Sequence, residues 1–308
     1  MTNNMGGNLQ PKGFPGLPSG WKTQWETIHG VCGKLRIFSL DHFQAEPHEG
    51  HRALVVFHGQ GEHGGRYLHF PHFLKNEVDH VTCVDHRGHG RSEGVRGHVE
   101  AFDHYVSDAA MVVQRLHEKL MAQHGKAEIH VFGHSMGGLI TLRLLFLHSQ
   151  LPIQSAIISA PLLGLKLEVP IVKRIAGHAL SKIWGSLQME TGLDHRKLSR
   201  DPAVQSIYTQ DRLIHSKATS RFFVEMLAAM QDTVGRDHGI SQPVLALIPT
   251  ADEIVDSVVT ENFFKSLKLS DKKIRKLDGY LHESFNDIGK EAVFEEMSHW
   301  IAQHHPST

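Results

Sequence analysis

The chain is organised around Ala127-Glu128-Ile129-His130-Val131-Phe132-Gly133-His134-Ser135-Met136-Gly137-Gly138, which the apolar run from Leu139 to Leu147 follows directly. Residues 129–132 have the apolar, β-branched character of a short buried strand. The run after the glycines is too long for one strand and is typical of a buried helix. The pattern therefore predicts a strand and a helix joined by a very tight turn.

This turn has the form Gly133-x-Ser135-x-Gly137, which fits a nucleophile elbow. Glycines at its ends let the strand and the helix approach closely, and the serine hydroxyl projects from the corner. The Met136 N–H then lies at the helix start, where an unpaired donor and the helix dipole can stabilise an oxyanion. The competing interpretation is an ordinary glycine-rich turn, but the strand before it and the apolar helix after it favour a nucleophile.

Composition excludes several classes of protein. The chain has 308 residues with a net charge of -1, so no global field attracts nucleic acid. Its 26 histidines show no paired metal-ligand spacing, and two cysteines exclude a disulfide framework. We therefore expect no metal, no organic cofactor and no nucleic-acid partner. No secretory signal or bilayer-spanning run is visible, which predicts a cytoplasmic protein. The sequence does not indicate an oligomeric state.

Strand-like and helix-like segments alternate along most of the chain. An entry hairpin is predicted at residues 24–28 and 34–40, later strands at 53–57, 80–84, 155–160, 244–248 and 273–277, and helices between them, including one over 67–76. The alternation stops between residues 163 and 239. This order predicts an α/β fold with a mostly parallel sheet and helices on both faces. We expect a flexible leader over 1–20, a core of 21–162 and 240–308, and a helical cap insertion over 163–239.

A serine nucleophile needs a base and an acid that orients the base. Asp252 follows the strand at 244–248, and His282 follows the last strand. Serine, aspartate and histidine in this chain order are typical of the α/β-hydrolase fold, and all three follow strands at one sheet edge. The neighbouring acids Glu253, Asp256 and Asp278 remain open as alternatives.

The second oxyanion donor should come from the loop after the strand that ends at Phe57, where the Gln60 N–H is the candidate. The same loop contains Gly59-x-Gly61-x-x-Gly64, and Asp85 follows the next strand, as in a dinucleotide fingerprint. An NAD-binding oxidoreductase is therefore an alternative function. A hydrolase-fold binding module without catalysis is another.

The chain resembles the monoacylglycerol lipase and lysophospholipase group of serine α/β-hydrolases. The likeness rests on three stretches, His58 to Tyr67, Asp85 to Ser92 and Gly133 to Gly138, and on two cap segments, Leu198-Ser199-Arg200 and Ile207 to Asp211. The resemblance implies that a polar pocket for the alcohol head of the substrate is lined by Glu62, Arg66, His134 and Tyr208. Gln60 stands where the group often has alanine, and its bulk is expected to narrow this pocket.

The resemblance also implies the substrate, a single-chain lipid ester cleaved through an acyl-enzyme. A small-ester carboxylesterase or an acyltransferase on the same fold is the alternative. Residues 170–185 place Ile171, Val172 and Ile175 on one helical face and Arg174, His178 and Lys182 on the other. Such a helix either packs over the active site or makes transient contact with a membrane surface, which would make the protein peripheral.

Overall fold

The computed structural model describes residues 12–45, 51–166, 179–235 and 239–305. An eight-stranded sheet runs through its centre in the order β1-β2-β4-β3-β5-β6-β9-β10. These strands are β1 (Trp21–His29), β2 (Arg36–Gln44), β3 (Arg52–Phe57), β4 (His80–Asp85), β5 (Glu128–His134), β6 (Ile153–Ser159), β9 (Val244–Pro249) and β10 (Lys272–Leu277).

The sheet is antiparallel only where the chain enters it. β1 pairs with β2, and β2 with β4, in antiparallel register, while every later neighbour is parallel. The inner parallel strands are buried on both faces, which explains their continuous apolar runs. Their carboxyl ends meet at one edge of the sheet, the place where ligands bind in such folds.

Helices cover both faces of the sheet. The described helices are α1 (Phe70–Leu74), α2 (Asp103–His124), α3 (Met136–Leu147), α4 (Pro202–Gln210), α5 (Ser220–Gly235), α6 (Ser257–Ser266) and α7 (Lys290–Gln303). One apolar core unites β-strand side chains with α2, α3, α5 and α6, and a second unites the opposite sheet face with α1 and α7. The predicted α/β-hydrolase architecture, three layers around a mostly parallel sheet, is confirmed.

One predicted element is shorter than expected. The sequence favours a helix over residues 67–76, but the chain forms a 3-10 turn over Gly64–Tyr67 and then the five-residue helix α1. Pro71 lies inside α1 and has no N–H to donate to the Tyr67 carbonyl, so one continuous helix cannot form.

Residues between β6 and β9 add no strand to the eight-stranded sheet in the part of the chain that is described. They form α4, α5 and a separate antiparallel pair, β7 (Gln188–Glu190) with β8 (Lys217–Thr219). The predicted cap boundaries at 163 and 239 stay a prediction. Most of the amphipathic segment 170–185 and of the leader 1–20 lies outside the described residues. Of the described helices, none has both the length and the apolar character needed to cross a bilayer.

Candidate active site

Ser135 sits in the turn between β5 and α3 with a strained backbone. Its φ is 53° and its ψ is -115°, a conformation that costs an ordinary residue about 1–3 kcal/mol. The surrounding main chain holds it: the Ser135 N–H donates to the Ser159 carbonyl at 3.0 Å, and the Ser135 carbonyl accepts from Leu162 at 2.9 Å. The turn therefore presents the serine side chain at the carboxyl edge of the sheet, as a nucleophile elbow requires.

The two glycines of the elbow are needed for close packing. A Cβ at Gly133 would lie 2.3 Å from Thr141 Oγ1, and one at Gly137 would lie 2.0 Å from the Phe57 carbonyl oxygen. Both distances are far below contact, so any side chain would push α3 away from β5 and β3. This is the steric reason for the Gly-x-Ser-x-Gly spacing.

Asp252 and His282 form a buried pair next to this turn. His282 Nδ1 lies 2.6 Å from Asp252 Oδ2, and the His282 ring lies 4.6 Å from the ring of His134, the residue before Ser135. The other carboxylate oxygen, Oδ1, accepts the N–H groups of Ile254 and Val255 at 2.7 and 3.0 Å. Those two donors fix the carboxylate, so the histidine is held in one orientation.

Asp252 and His282 shift each other's pKa values towards the charged forms. Burial raises the pKa of Asp252, but the adjacent His282 and the two main-chain donors outweigh it and leave that pKa below its usual value. Burial likewise lowers the pKa of His282, but the attraction of Asp252 outweighs it and leaves the His282 pKa above its usual value. His282 is thus a stronger base than free histidine.

The competing acids have other partners. Asp256 caps α6 by accepting from Val258 at 2.8 Å, and Glu253 forms an ion pair with Lys197 at 2.9 Å. Asp278 is exposed to solvent. Only Asp252, among these four, reaches His282 in the described structure.

The two expected oxyanion donors flank Ser135. The Met136 N–H belongs to the first turn of α3, where N–H groups have no acceptor within the helix. Gln60 lies in the loop after β3, and among the described residues its N–H has no hydrogen-bond acceptor. A Cβ at the neighbouring Gly59 would lie 3.3 Å from Ser135 Cβ, so the loop runs directly past the serine.

The Gln60 side chain forms a hydrogen bond with a distant segment, and the narrowing of the pocket by its bulk stays a prediction. Its Nε2 donates to the Lys217 carbonyl at 2.9 Å, in strand β8. The amide is therefore engaged with the segment between β6 and β9.

The geometry of the glycine loop disfavours a dinucleotide site. Its glycines lead into the 3-10 turn and the five-residue α1, so no long helix offers its N-terminus to a pyrophosphate. Asp85 is buried and accepts the N–H groups of Gly64 and Arg91, both at 2.7 Å. Its carboxylate fixes this turn and is not available to a ribose.

A buried polar cluster lies beside the serine and contains the residues expected at the head-group pocket. Arg66 donates to Glu62 Oε2 at 2.5 Å and to both oxygens of Glu283 at 2.6 and 2.7 Å. The Tyr208 ring covers its guanidinium at 5.2 Å. His134 is buried, and its Nδ1 has no hydrogen-bond partner among the described residues. Burial, reinforced by His282, lowers its pKa to about 3. The structure therefore brings Glu62, Arg66, His134 and Tyr208 together.

Sequence reasoning missed Glu283 as a member of this cluster. Burial raises the pKa of its carboxyl, but the Arg66 guanidinium outweighs this and lowers it to about 2. For Glu62 the balance is reversed, and burial leaves its pKa raised despite Arg66. Glu283 directly follows the expected base, but nothing in the local sequence indicates that it meets Arg66, 217 residues earlier.

The ligand atoms of Glu62, His134 and Glu283 lie within 4.8 Å of one another, the one such group of three found among the described residues. The four carboxylate oxygens of Glu62 and Glu283 already accept hydrogen bonds, three of them from Arg66 and the fourth from Gly59 and Tyr67. This chemistry does not fit a metal site.

Comparison with known proteins places the chain in a family. The family described as Hydrolase_4: Serine aminopeptidase, S33 matches residues 48–289. Phospholipase YtpA of Bacillus subtilis is 27% identical over 79% of this chain and 92% of its own length. Human monoglyceride lipase is 28% identical over 82% of this chain and 83% of its own. The chain spans 26% of a longer abhydrolase domain-containing protein of Dictyostelium discoideum.

The solved structures agree with this placement. The crystal structure of Paleococcus ferrophilus monoacylglycerol lipase superposes with a TM-score of 0.74 at 27% identity, covering 92% of this chain and 100% of the lipase. The predicted resemblance to serine α/β-hydrolases is confirmed by these matches. The chain belongs to the family of serine hydrolases described as Hydrolase_4: Serine aminopeptidase, S33.

Proposed function

We propose that this hydrolase cleaves the carboxylic ester of single-chain lipids, monoacylglycerols first among them, with Ser135 as nucleophile. The observation that carries the proposal is the buried Asp252–His282 pair, which lies beside a serine held at φ 53° on the sheet edge. The similarity to monoglyceride lipases adds the substrate class. Lysophospholipids are the second class to test, because a phospholipase is equally similar.

In the proposed reaction His282 removes the Ser135 proton as the hydroxyl attacks the ester carbonyl. Asp252 holds the imidazole with Nδ1–H donating to it, so that Nε2 accepts this proton. The developing oxyanion accepts from the Gln60 and Met136 N–H groups. His282 then protonates the departing alcohol. In the second half, His282 takes a proton from water as the water attacks the acyl-enzyme, and it returns that proton to Ser135 as the fatty acid leaves.

The residues between β6 and β9 supply the proposed cap. We take residues 163–239 as this cap, 21–162 and 240–308 as the core, and 1–20 as a leader. The β8 main chain meets Gln60, and Tyr208 of α4 covers Arg66, which supports a cap above the serine. A cap of this kind would surround the acyl chain with apolar side chains.

The polar cluster is proposed as the head-group pocket. Its guanidinium is bonded to two carboxylates and does not offer an unbalanced positive charge. Hydroxyl groups can exchange hydrogen bonds with Glu62, Arg66, His134 and Tyr208, whereas a phosphate would meet two glutamates. This favours glycerol over a phosphorylated head group.

Contact with a lipid surface is proposed for the cap as well. Ile183 and Trp184, near the carboxyl end of the amphipathic segment 170–185, are 85% and 59% exposed. Large apolar side chains at such a position can enter the boundary of a lipid layer. Cosedimentation with phosphatidylcholine vesicles checks this contact, and a protein that stays in the supernatant contradicts it.

A substrate panel checks the proposed substrate. Each buried methylene contributes about 0.8 kcal/mol, or roughly fourfold, so we expect kcat/KM on monodecanoylglycerol to exceed that on monoacetylglycerol by at least ~100-fold. Decanoyl lysophosphatidic acid and didecanoylglycerol should be poor substrates. An enzyme fastest on acetyl esters would contradict the lipase assignment and leave the proposed roles of Ser135, Asp252 and His282 untouched.

Activity should depend on pH through His282. The base works only when neutral, and its pKa is raised by Asp252. Activity is therefore lost as pH falls through that raised pKa. The pH at which kcat/KM is half its maximum should lie above the value of about 6.5 for free histidine. Half-maximal activity near pH 4 would contradict His282 as the base, because Asp252 raises the pKa of that histidine.

A control is needed for stability in this experiment. Burial lowers the pKa of His58 well below its usual value and lowers the pKa of His86 to about 4. Both side chains are therefore neutral in the folded protein. Unfolding lets them take up protons, and stability falls as pH drops below their unfolded value. Each acidic rate is therefore repeated after return to neutral pH, and only reversible losses count.

A further inference from the structure

The loop that carries the proposed oxyanion donor has no regular secondary structure of its own. Residues 58–63 lie between β3 and the 3-10 turn and belong to no helix or strand. On its core side the loop is held by Glu62, whose Oε1 accepts from the Gly59 N–H at 2.6 Å and from the Tyr67 hydroxyl at 2.9 Å. A donor on such a loop needs a second support to keep its position.

That second support comes from a distant segment, residues 211–217, which follows α4. The His215 N–H donates to the Gly61 carbonyl at 2.8 Å, and Gln60 Nε2 donates to the Lys217 carbonyl at 2.9 Å. Gly61 has φ +81°, and a Cβ there would lie 2.4 Å from the His215 carbonyl oxygen. The two main chains therefore touch directly at Gly61, and the side chain of the preceding Gln60 adds a second contact.

A side-chain pair closes the same contact at its other end. His63 Nε2 lies 2.8 Å from Asp211 Oδ2, and both side chains are almost inaccessible to solvent. The Gly65 N–H donates to His63 Nδ1 at 3.1 Å, so Nδ1 carries no proton and Nε2–H donates to Asp211. Asp211 Oδ1 in turn accepts from the Leu213 N–H at 2.9 Å. Each ring nitrogen of His63 and each carboxylate oxygen of Asp211 therefore takes part in one hydrogen bond.

We propose that His63 and Asp211 are positioning residues that hold the Gln60 N–H at the oxyanion through this contact between residues 59–63 and 211–217. Neither side chain touches substrate. The inference rests on the proposed function only in taking the Gln60 N–H as an oxyanion donor. Its effect should appear in the transition state, because the oxyanion forms there and not in the bound ester.

Asp211→Asn tests this positioning. The donors of His63 and Leu213 point at different oxygens of Asp211, and an amide has an oxygen at only one of these positions. One of the two hydrogen bonds is therefore lost, and the contact loosens. Removing an oxyanion donor typically lowers kcat by about 10²–10³, and displacing one lowers kcat by less. We therefore expect kcat on p-nitrophenyl decanoate to fall about 10- to 100-fold, with KM within twofold of wild type. Affinity for a decyl trifluoromethyl ketone, which forms a tetrahedral serine adduct, should fall by the same factor as kcat/KM.

Asp201→Asn is the matched control, because Asp201 caps the other end of α4 and accepts from Ala203 at 2.9 Å. It should leave kcat and ketone affinity unchanged. Gln60→Ala removes the Lys217 contact at a partly exposed position and keeps the Gln60 N–H. It should show the same pattern as Asp211→Asn with a smaller loss, even if the latter variant folds poorly.

Two results would contradict the positioning role of His63 and Asp211. If kcat of both variants stays within twofold of wild type, or if the loss lies in KM while ketone affinity is unchanged, the positioning role is wrong. Using a p-nitrophenyl ester keeps this result apart from the substrate assignment. A wild-type enzyme that cleaves p-nitrophenyl decanoate but not monodecanoylglycerol overturns the proposed substrate and leaves the test of Asp211 valid.

Discussion

Replacing Ser135 with alanine is expected to reduce hydrolysis of p-nitrophenyl decanoate by on the order of 10⁶, to a rate near the limit of detection. The change removes only the hydroxyl, and alanine meets the same backbone strain at φ 53° as serine does. Thermal unfolding should therefore be close to wild type. The loss is large because without the hydroxyl no acyl-enzyme forms and His282 has no nucleophile to activate.

Ser159→Ala provides the control for this variant. Ser159 ends the neighbouring strand β6, its carbonyl accepts from the Ser135 N–H, and its buried Oγ has no hydrogen-bond partner in the described structure. Removing that hydroxyl should leave kcat unchanged. If Ser135→Ala kept near wild-type activity, or if Ser159→Ala were the inactive variant, the nucleophile would be misassigned.

Asp252→Asn is expected to lower kcat by about 10⁴. The N–H groups of Ile254 and Val255 both point at Oδ1, so an asparagine must keep its carbonyl oxygen there. Its NH₂ then faces His282 Nδ1 and forces that nitrogen to accept. The ring proton moves to Nε2, which can no longer take the Ser135 proton.

Asp256→Asn separates this explanation from a general effect of charge. Asp256 caps α6, and asparagine caps a helix about as well as aspartate, so both stability and kcat should change little. The kcat of the two variants on one ester is the measurement. A greater loss in Asp256→Asn than in Asp252→Asn would show that the wrong acid was assigned.

Local pattern was sufficient to predict the sheet and the elbow. The residues around Ser135 combine a strand, two glycines with no room for a Cβ and a buried helix, and each of these properties is visible in the sequence. The chain order of Ser135, Asp252 and His282 is typical of the fold, in which each of them follows a strand of the same sheet. Their catalytic roles remain predictions for the experiments above.

Contacts between distant segments were not predictable in this way. Glu283 meets Arg66 across 217 residues, and Asp211 meets His63 across 148 residues. No periodicity or spacing marks such pairs. The first depends on which loops of the core meet at the sheet edge, and the second depends on how the insertion lies over that edge. The helix expected over 67–76 is shorter for a local reason, because Pro71 has no N–H to continue the hydrogen-bond pattern from residue 67.

Fluorophosphonate labelling followed by peptide mass spectrometry tests the central claim most directly. We predict one covalent adduct per chain, on Ser135, with labelling slowed by monodecanoylglycerol and absent in Ser135→Ala. The reagent needs an activated serine and an oxyanion site, so it reports on the nucleophile, His282 and the two N–H donors together. A folded protein that never labels, or one that carries its adduct on another residue, would contradict the account.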